Sequence, residues 1–351
     1  MSCLTNEDAQ LSIGLFIFTA LSILRGVRQQ RKPSPPEKKD AKFLKQAHQI
    51  RLALKKPQHS HFRVVALLLL DDDSVIAGAN DEPSPTLSGS ICAERATFLR
   101  LRIEEVEKGT NRKVKTVYIV SDAAKPVPPG LLCREYMYGH AACSTDTRVV
   151  MQSAEAKEHP VAWISTLKEL YPYPSIYMGL DVNEQVEMGT NYANEYVRDD
   201  ESMVQLLGMS KKEIDQLVQA AKQATDYDNH DSIHAMRYGA AVALLLEGSK
   251  IEIVTASQRK AVEYGSSLDP VCQLALSMFR PDGKRQLALA IVMVDQFGNA
   301  HAPFAPARSF LAEHGFGGCF CILNTRGTDG ALKRHAVPAD DLAPFVPQIF
   351  K

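Results

Sequence analysis

Apolar runs of strand length alternate along this chain with stretches of helical period. Residues 41–55 (AKFLKQAHQIRLALK) space their apolar positions three and four apart, which predicts a helix that Pro57 ends. Residues 64–70 (VVALLLL) are apolar throughout and predict a strand buried on both faces, with 74–79 as a second strand. Residues 92–106 (CAERATFLRLRIEEV) return to the helical period, 114–120 (VKTVYIV) to a strand, 133–138 to a helix and 148–151 to a short strand. Helices alternating with apolar strands imply a three-layer α/β/α sandwich with a mixed sheet.

The same order comes back further on. Ser210-Lys-Lys-Glu213 has the spacing of a capping box and opens a helix to about Ala224. Residues 286–294 (QLALAIVMV) answer 114–120, and 307–314 (ARSFLAEH) answer 133–140 (CREYMYGH) at an offset of 174. The two ends also rhyme, LKELYPYPS at 167–175 and DDLAPFVPQ at 340–348. The pattern predicts a duplicated fold. Its expected parts are an N-terminal apolar segment and Pro-rich linker (1–40), a catalytic-type unit (41–180), a polar connection (181–209) and a degenerate second unit (210–351).

Composition narrows the function classes. With 45% hydrophobic and 23% charged residues among 351, the chain can bury a core. Forty Lys and Arg against 41 Asp and Glu leave a net charge of -1, which argues against a broad nucleic-acid surface, as does the single Trp163. Seven widely spread cysteines, an odd number, read as reduced thiols or metal ligands. Residues 11–24 (LSIGLFIFTALSIL) are shorter than the roughly 20 residues of a spanning helix. They follow Glu7 and Asp8 and precede Arg25 and Arg28, so a packing helix and a short anchor stay open. The expected location is cytoplasmic, with membrane contact through this segment as the alternative.

Two loop-to-helix junctions carry the chemistry. Ile91-Cys-Ala-Glu-Arg95 opens one helix, where a thiolate gains from the positive end of the helix dipole. Pro129-Gly-Leu-Leu-Cys-Arg-Glu135 opens another. Two such helix starts aimed at one point can hold zinc and water.

Here the chain resembles the cytidine deaminase family. The family's C-A-E-R segment stands letter for letter at Cys92 to Arg95, its N-x-E element as Asn80-Asp-Glu82, and its F-R-V strand entry as Phe62-Arg-Val64. The P-C-x-x-C-R-Q segment appears altered at Pro129 to Glu135, and the closing L-P-Y-P-S looks like Tyr171-Pro-Tyr-Pro-Ser175. The resemblance covers about residues 42–179 and, weakly through the repeat, the second half. It implies hydrolytic deamination of cytidine or deoxycytidine at a zinc ion, in pyrimidine salvage. Cys92 and Cys133 would be metal ligands, Glu94 the proton shuttle, Asn80 and Glu82 the ribose contacts and Phe62 a wall of the base pocket. Single-domain relatives pack four copies together, so a chain with two copies is expected to form a homodimer. Its expected partner is a pyrimidine nucleoside.

One departure supports a different reading. The family's second segment has two cysteines three apart; three residues before Cys133 stands Gly130, or Pro129 if the loop carries one extra residue, and neither can ligate through a side chain. Cys143 and His140 are the nearest replacements in the sequence. The alternative function is therefore a catalytically inactive pseudo-deaminase that binds a nucleoside or a protein. In the second half, 271–274 (VCQL) falls loosely at the C-A-E-R position, and 303–308 (PFAPAR) has no cysteine, so that copy is expected to be non-catalytic.

Overall fold

The computed structural model describes residues 35–346 apart from 87–88, 155–160, 229 and 328. The apolar segment 11–24 and the first part of the Pro-rich linker lie outside the described residues. Among the described residues, no helix is long and apolar enough to cross a membrane.

The chain folds as α/β layers around two mixed sheets. The first half runs α1 (Lys38–Ala53), β1 (Val64–Leu70), β2 (Val75–Ala79), α2 (Ala93–Lys108), β3 (Val114–Ser121), α3 (Leu131–Gly139), β4 (Arg148–Gln152), β5 (Ala162–Thr166) and α4 (Leu167–Leu170). Its sheet has the order β2-β1-β3-β4-β5, with β3 and β4 parallel and the other pairs antiparallel. The apolar β1 is buried from both sides, as its sequence predicts. Val65 and Leu67 meet Leu44 and Ala47 of α1, while Ala66 and Leu68 meet Phe98 and Leu101 of α2 and Met137 of α3.

A short connection follows: α5 (Val182–Glu195), β6 (Val197–Arg198) and α6 (Asp200–Leu207). The stretch 181–209 was expected as a polar connection, and it is built into the second half, because β6 pairs in parallel with β12. Its low hydrophobicity hid two helix starts. Asp181 caps α5 in a capping box with Glu184, and Asp199 caps α6.

The second half continues with α7 (Lys211–Ala224), β7 (Tyr238–Leu245), β8 (Ile251–Ser257), α8 (Pro270–Gln273), β9 (Leu287–Asp295), β10 (Ala300–His301), α9 (Ala305–Glu313), β11 (Phe320–Arg326), β12 (Leu332–Pro338) and α10 (Ala339–Leu342). Its sheet contains β8-β7-β9-β11-β12 in that order, with β9 and β11 parallel and the other neighbours antiparallel. This is the strand order of the first sheet, with the parallel pair in the same place.

Charge clamps α1 to the first sheet. The Asp122 carboxylate, just past β3, accepts from Arg51 of α1 and from the Arg63 side chain at 3.0 and 3.1 Å. Burial opposes its ionisation, but the Arg63 hydrogen bonds and the two guanidinium charges prevail and hold its carboxyl at about 2, below the usual 3.8. A depressed carboxyl stabilises the fold above its unfolded pKa, and that stability is lost as pH falls towards 2. A shift of this size is worth about 2 kcal/mol. Asp122→Asn is therefore expected to lower the unfolding free energy at neutral pH by about 2–3 kcal/mol. In urea titrations the gap between the two proteins should close as pH falls from about 4 to about 2. A gap that is constant over this range would show that the clamp is not ionic.

The halves meet along α3 and α9 through a reciprocal exchange. The buried Arg134 donates to Pro129 O (2.7 Å) and Leu170 O (3.0 Å) of its own half, and to Pro344 O (2.5 Å) and Phe345 O (3.2 Å) of the other. Arg308 does the same in reverse, to Pro303 O (2.7 Å) and Leu342 O (3.1 Å) at home, and to Pro172 O (2.8 Å) and Tyr173 O (2.6 Å) across. Tyr173 and Phe345 both turn the chain with positive φ, 52° and 60°. The rhyme between the two segment ends in the sequence corresponds to this interlock.

Candidate active site

Cys92 is the N-cap of α2, and Cys133 is the third residue of α3. Both helices begin at the same end of the first sheet, so their starts converge. A close approach seats α2. Gly78 of β2 has no side chain, and a Cβ there would meet Thr97 Oγ1 at 2.5 Å and Thr97 N at 2.8 Å. Glu94 follows Cys92 by two residues and is 4% exposed. The Cys92 and Cys133 sulfurs and a Glu94 carboxylate oxygen all lie within 4.8 Å of one another.

Electrostatics bind the three together. A hydrogen bond from Cys133, with help from the Arg95 guanidinium, overcomes burial and draws the Cys92 thiol down to about 6. The Cys133 thiol moves the other way, because it is the donor to Cys92 and because it is buried beside Glu94. Burial, and then the negative Cys92, push the Glu94 carboxyl up to about 7. A carboxyl poised near neutrality is suited to taking and returning a proton. Arg95 is the contribution that motif reading left without a role, since its Nη2 stands 3.7 Å from Cys92 Sγ. The signal available was its place one turn into the helix, on the thiolate's side.

Asn80, Glu82 and Phe62 occupy the adjoining loops. Asn80 is largely committed to its own chain. Its amide donates to Phe62 O (2.9 Å) and Glu82 Oε1 (3.2 Å) and its Oδ1 accepts from Val64 N (2.8 Å). Glu82 accepts from Ser60 N (2.8 Å) and Ser60 Oγ (2.7 Å). A bridge between Asp81 and Ile91 ties this loop to the residue preceding Cys92. Asn80 thus positions Phe62 and Glu82 beside the site.

The donor set can be weighed against a zinc ion. Two sulfurs and one carboxylate oxygen make three donors, the number a catalytic zinc ordinarily takes from protein. The residues present fit the ion in that count, with Glu94 included; with Glu94 free to move protons, the two sulfurs fall one donor short. Gly130 is the N-cap of α3, at φ -60° and ψ 155°, and a Cβ there would meet nothing within 4 Å. Neither sequence neighbour takes its place. The His140 ring packs on Phe98, at 4.7 Å between centroids, and Cys143 packs on the core.

Among the described residues, the second half has no counterpart of this Cys-Glu-Cys group. Asn80 N donates to Val64 O as Gln258 N does to Tyr238 O, and the Asp81–Ile91 bridge has its match in Arg259–Leu268. By this register the residue in the place of Cys92 is Asp269, the N-cap of α8, and Val271 stands in the place of Glu94. The sequence alignment of 271–274 to C-A-E-R is thereby corrected by two residues: the loop is shorter there, and α8 gives way to a 3-10 turn after one turn of helix. Phe304 occupies the place of Gly130 and Ala307 that of Cys133.

No protein-family model matches the chain. It is 33% identical over 130 residues to a protein named cytidine deaminase from Halalkalibacterium halodurans, an alignment of 37% of this chain and 89% of that one. Among solved structures, the cytidine deaminase from Burkholderia pseudomallei aligns at 20% identity over 38% of this chain and 95% of that chain, TM-score 0.31. The cytidine deaminase from Mycobacterium tuberculosis aligns at 24% identity over 39% of this chain and 97% of that chain, TM-score 0.27.

Proposed function

The chain belongs to the cytidine deaminase family, and on that premise we propose that its first half hydrolytically deaminates a pyrimidine nucleoside, cytidine or deoxycytidine, at a zinc site. The observation that carries this reading is the meeting of Cys92, Glu94 and Cys133 at two helix starts. Cys92 and Cys133, with Glu94 as the third donor of the resting site, would hold the ion, which when bound supplies the Lewis acidity that brings water to a usable pKa.

The remaining work belongs to the chain. Glu94, buried and with a raised pKa, takes a proton from the attacking water and passes it to the ring nitrogen next to the reacting carbon. It then takes the proton of the hydroxyl newly added to that carbon and delivers it to the amine, so that the carbonyl forms as the C–N bond breaks and ammonia leaves. Glu82, kept ionised by Ser60 N–H and hydroxyl against its partial burial, accepts from a sugar hydroxyl. Phe62, whose carbonyl Asn80 holds, walls the base. Arg134 fixes the start of α3, and hence Cys133, to carbonyls of both halves. In this reading the second copy is kept as a support rather than for chemistry.

A second reading is favoured by Gly130: a protein that binds the nucleoside without turning it over. Ammonia release from cytidine by the full chain supplied with zinc separates the two. Steady release supports the enzyme. Saturable nucleoside binding with no release supports the inactive reading.

We also propose a homodimer. Leu99, Ile103 and Val106 form an exposed apolar stripe on α2, at 44, 60 and 81%, with Leu132 of α3 exposed at 48%. A second copy of the chain would cover it, as two two-copy chains make a four-copy assembly. The mass in solution is expected to be twice 38.7 kDa, falling to the single-chain mass on Ile103→Glu. A monodisperse wild-type monomer would contradict this.

A further inference from the structure

The degenerate half has a cavity beside the place that corresponds to the first half's site. A space of about 640 Å³ opens there, bounded by Tyr238, Gln258, Lys260 and Phe304, the counterparts of Val64, Asn80, Glu82 and Gly130. The first half closes its far side with Glu135 and Tyr177. The volume lies within the range of small-molecule sites, roughly 300–1,000 Å³. The counterparts of the two cysteines and the glutamate, Asp269, Ala307 and Val271, are not among its walls, and among the described residues no Cys-Glu-Cys group stands beside it.

What remains is suited to recognition. Phe304 and Tyr238 stand edge to face, 5.2 Å between centroids, and offer flat apolar walls. The Gln258 side-chain oxygen is buried and has no partner, an arrangement that is costly unless a ligand donates to it. The Lys260 side chain is 3% exposed, and its ammonium is fixed by Asp228 at 3.1 Å and His234 O at 2.7 Å. It sits where the first half has the acid Glu82, so the pocket is refitted rather than merely eroded. Glu135 Oε1 is fixed by Tyr171 OH at 2.5 Å and Ala305 N at 3.2 Å, which presents its carboxylate rigidly to the cavity.

We propose that this cavity is a second, non-catalytic binding site for a nucleobase or nucleoside, which stacks on Phe304 and donates a ring or amino N–H to Gln258. The proposal does not depend on turnover at the first site.

Equilibrium dialysis of the full chain against radiolabelled uridine tests it. Wild type should take up about two uridines per chain at saturation, and Gln258→Leu should weaken one of the two by about tenfold or more. Phe304→Trp, which fills the cavity, should remove the same site, so the result does not hang on one variant's packing. In Glu82→Ala, which disturbs the first site, the remaining uptake should be the part lost on Gln258→Leu. Release of ammonia from cytidine should be unchanged in the Gln258 and Phe304 variants. A wild type that saturates at one uridine per chain with uptake unaffected by either variant would overturn the second site while leaving the first-site reading intact. No uptake at all would also overturn the second site, and ammonia release from cytidine then decides the first.

Discussion

Replacing Glu94 by glutamine is expected to cut cytidine deamination by at least about 10²-fold, within the 10²–10⁴ range of general acid-base catalysis, with nucleoside affinity and folding kept. The carboxyl is 4% exposed and carries a pKa pushed up to about 7, so the fold already tolerates a neutral group there. Glutamine keeps the shape and removes the proton transfer. Burial of a charge is avoided, so unfolding by urea should be no easier than in wild type. The measurement is kcat and KM from ammonia release, beside uridine binding. A variant that retains most of the wild-type kcat would remove Glu94 from the proposed role. One that loses the uridine uptake that Gln258→Leu leaves intact would make it a contact for the ligand instead.

The second large effect concerns a residue that is missing. Gly130→Cys places a third thiolate at the start of α3, three residues before Cys133. The backbone there, at φ -60° and ψ 155°, is ordinary for any L-residue, and the added Cβ meets nothing within 4 Å. Structural zinc is held with roughly 10–16 kcal/mol by four ligands, about 3 kcal/mol each, so one more sulfur is expected to tighten zinc on the order of a hundredfold. Glu94 would then be free of any share in ligation, and kcat should rise with metal affinity. Competition with a chelator reads the first, and ammonia release the second. Unchanged zinc affinity in a folded Gly130→Cys protein would show that this position does not face the metal.

Strands and helix starts were legible because their patterns are local. The apolar run at β1 predicts burial from both sides, and helices on both faces cover it. The same holds for Cys92 at the head of α2, which a helical period beginning at that residue already marks. Relations that depend on distant carbonyls were not legible. No spacing indicates that Arg134 reaches Pro344, 210 residues away, or that Asn80 spends its amide on Phe62 and Glu82. The second copy's site was misplaced by two residues because its helix is a single turn, too short to leave a period. The connection 181–209 was read as polar linker because its helices start from acidic caps and bury few side chains.

The central claim is that Cys92 and Cys133 hold a catalytic zinc despite the glycine at 130. Elemental analysis of the purified full-length chain, dialysed without chelator, tests it most directly. About one zinc per chain is expected, lost on Cys92→Ser and on Cys133→Ser and retained in Gln258→Leu. Zinc near zero in a folded wild-type protein would contradict it, and leave the first half as a nucleoside-binding domain without chemistry.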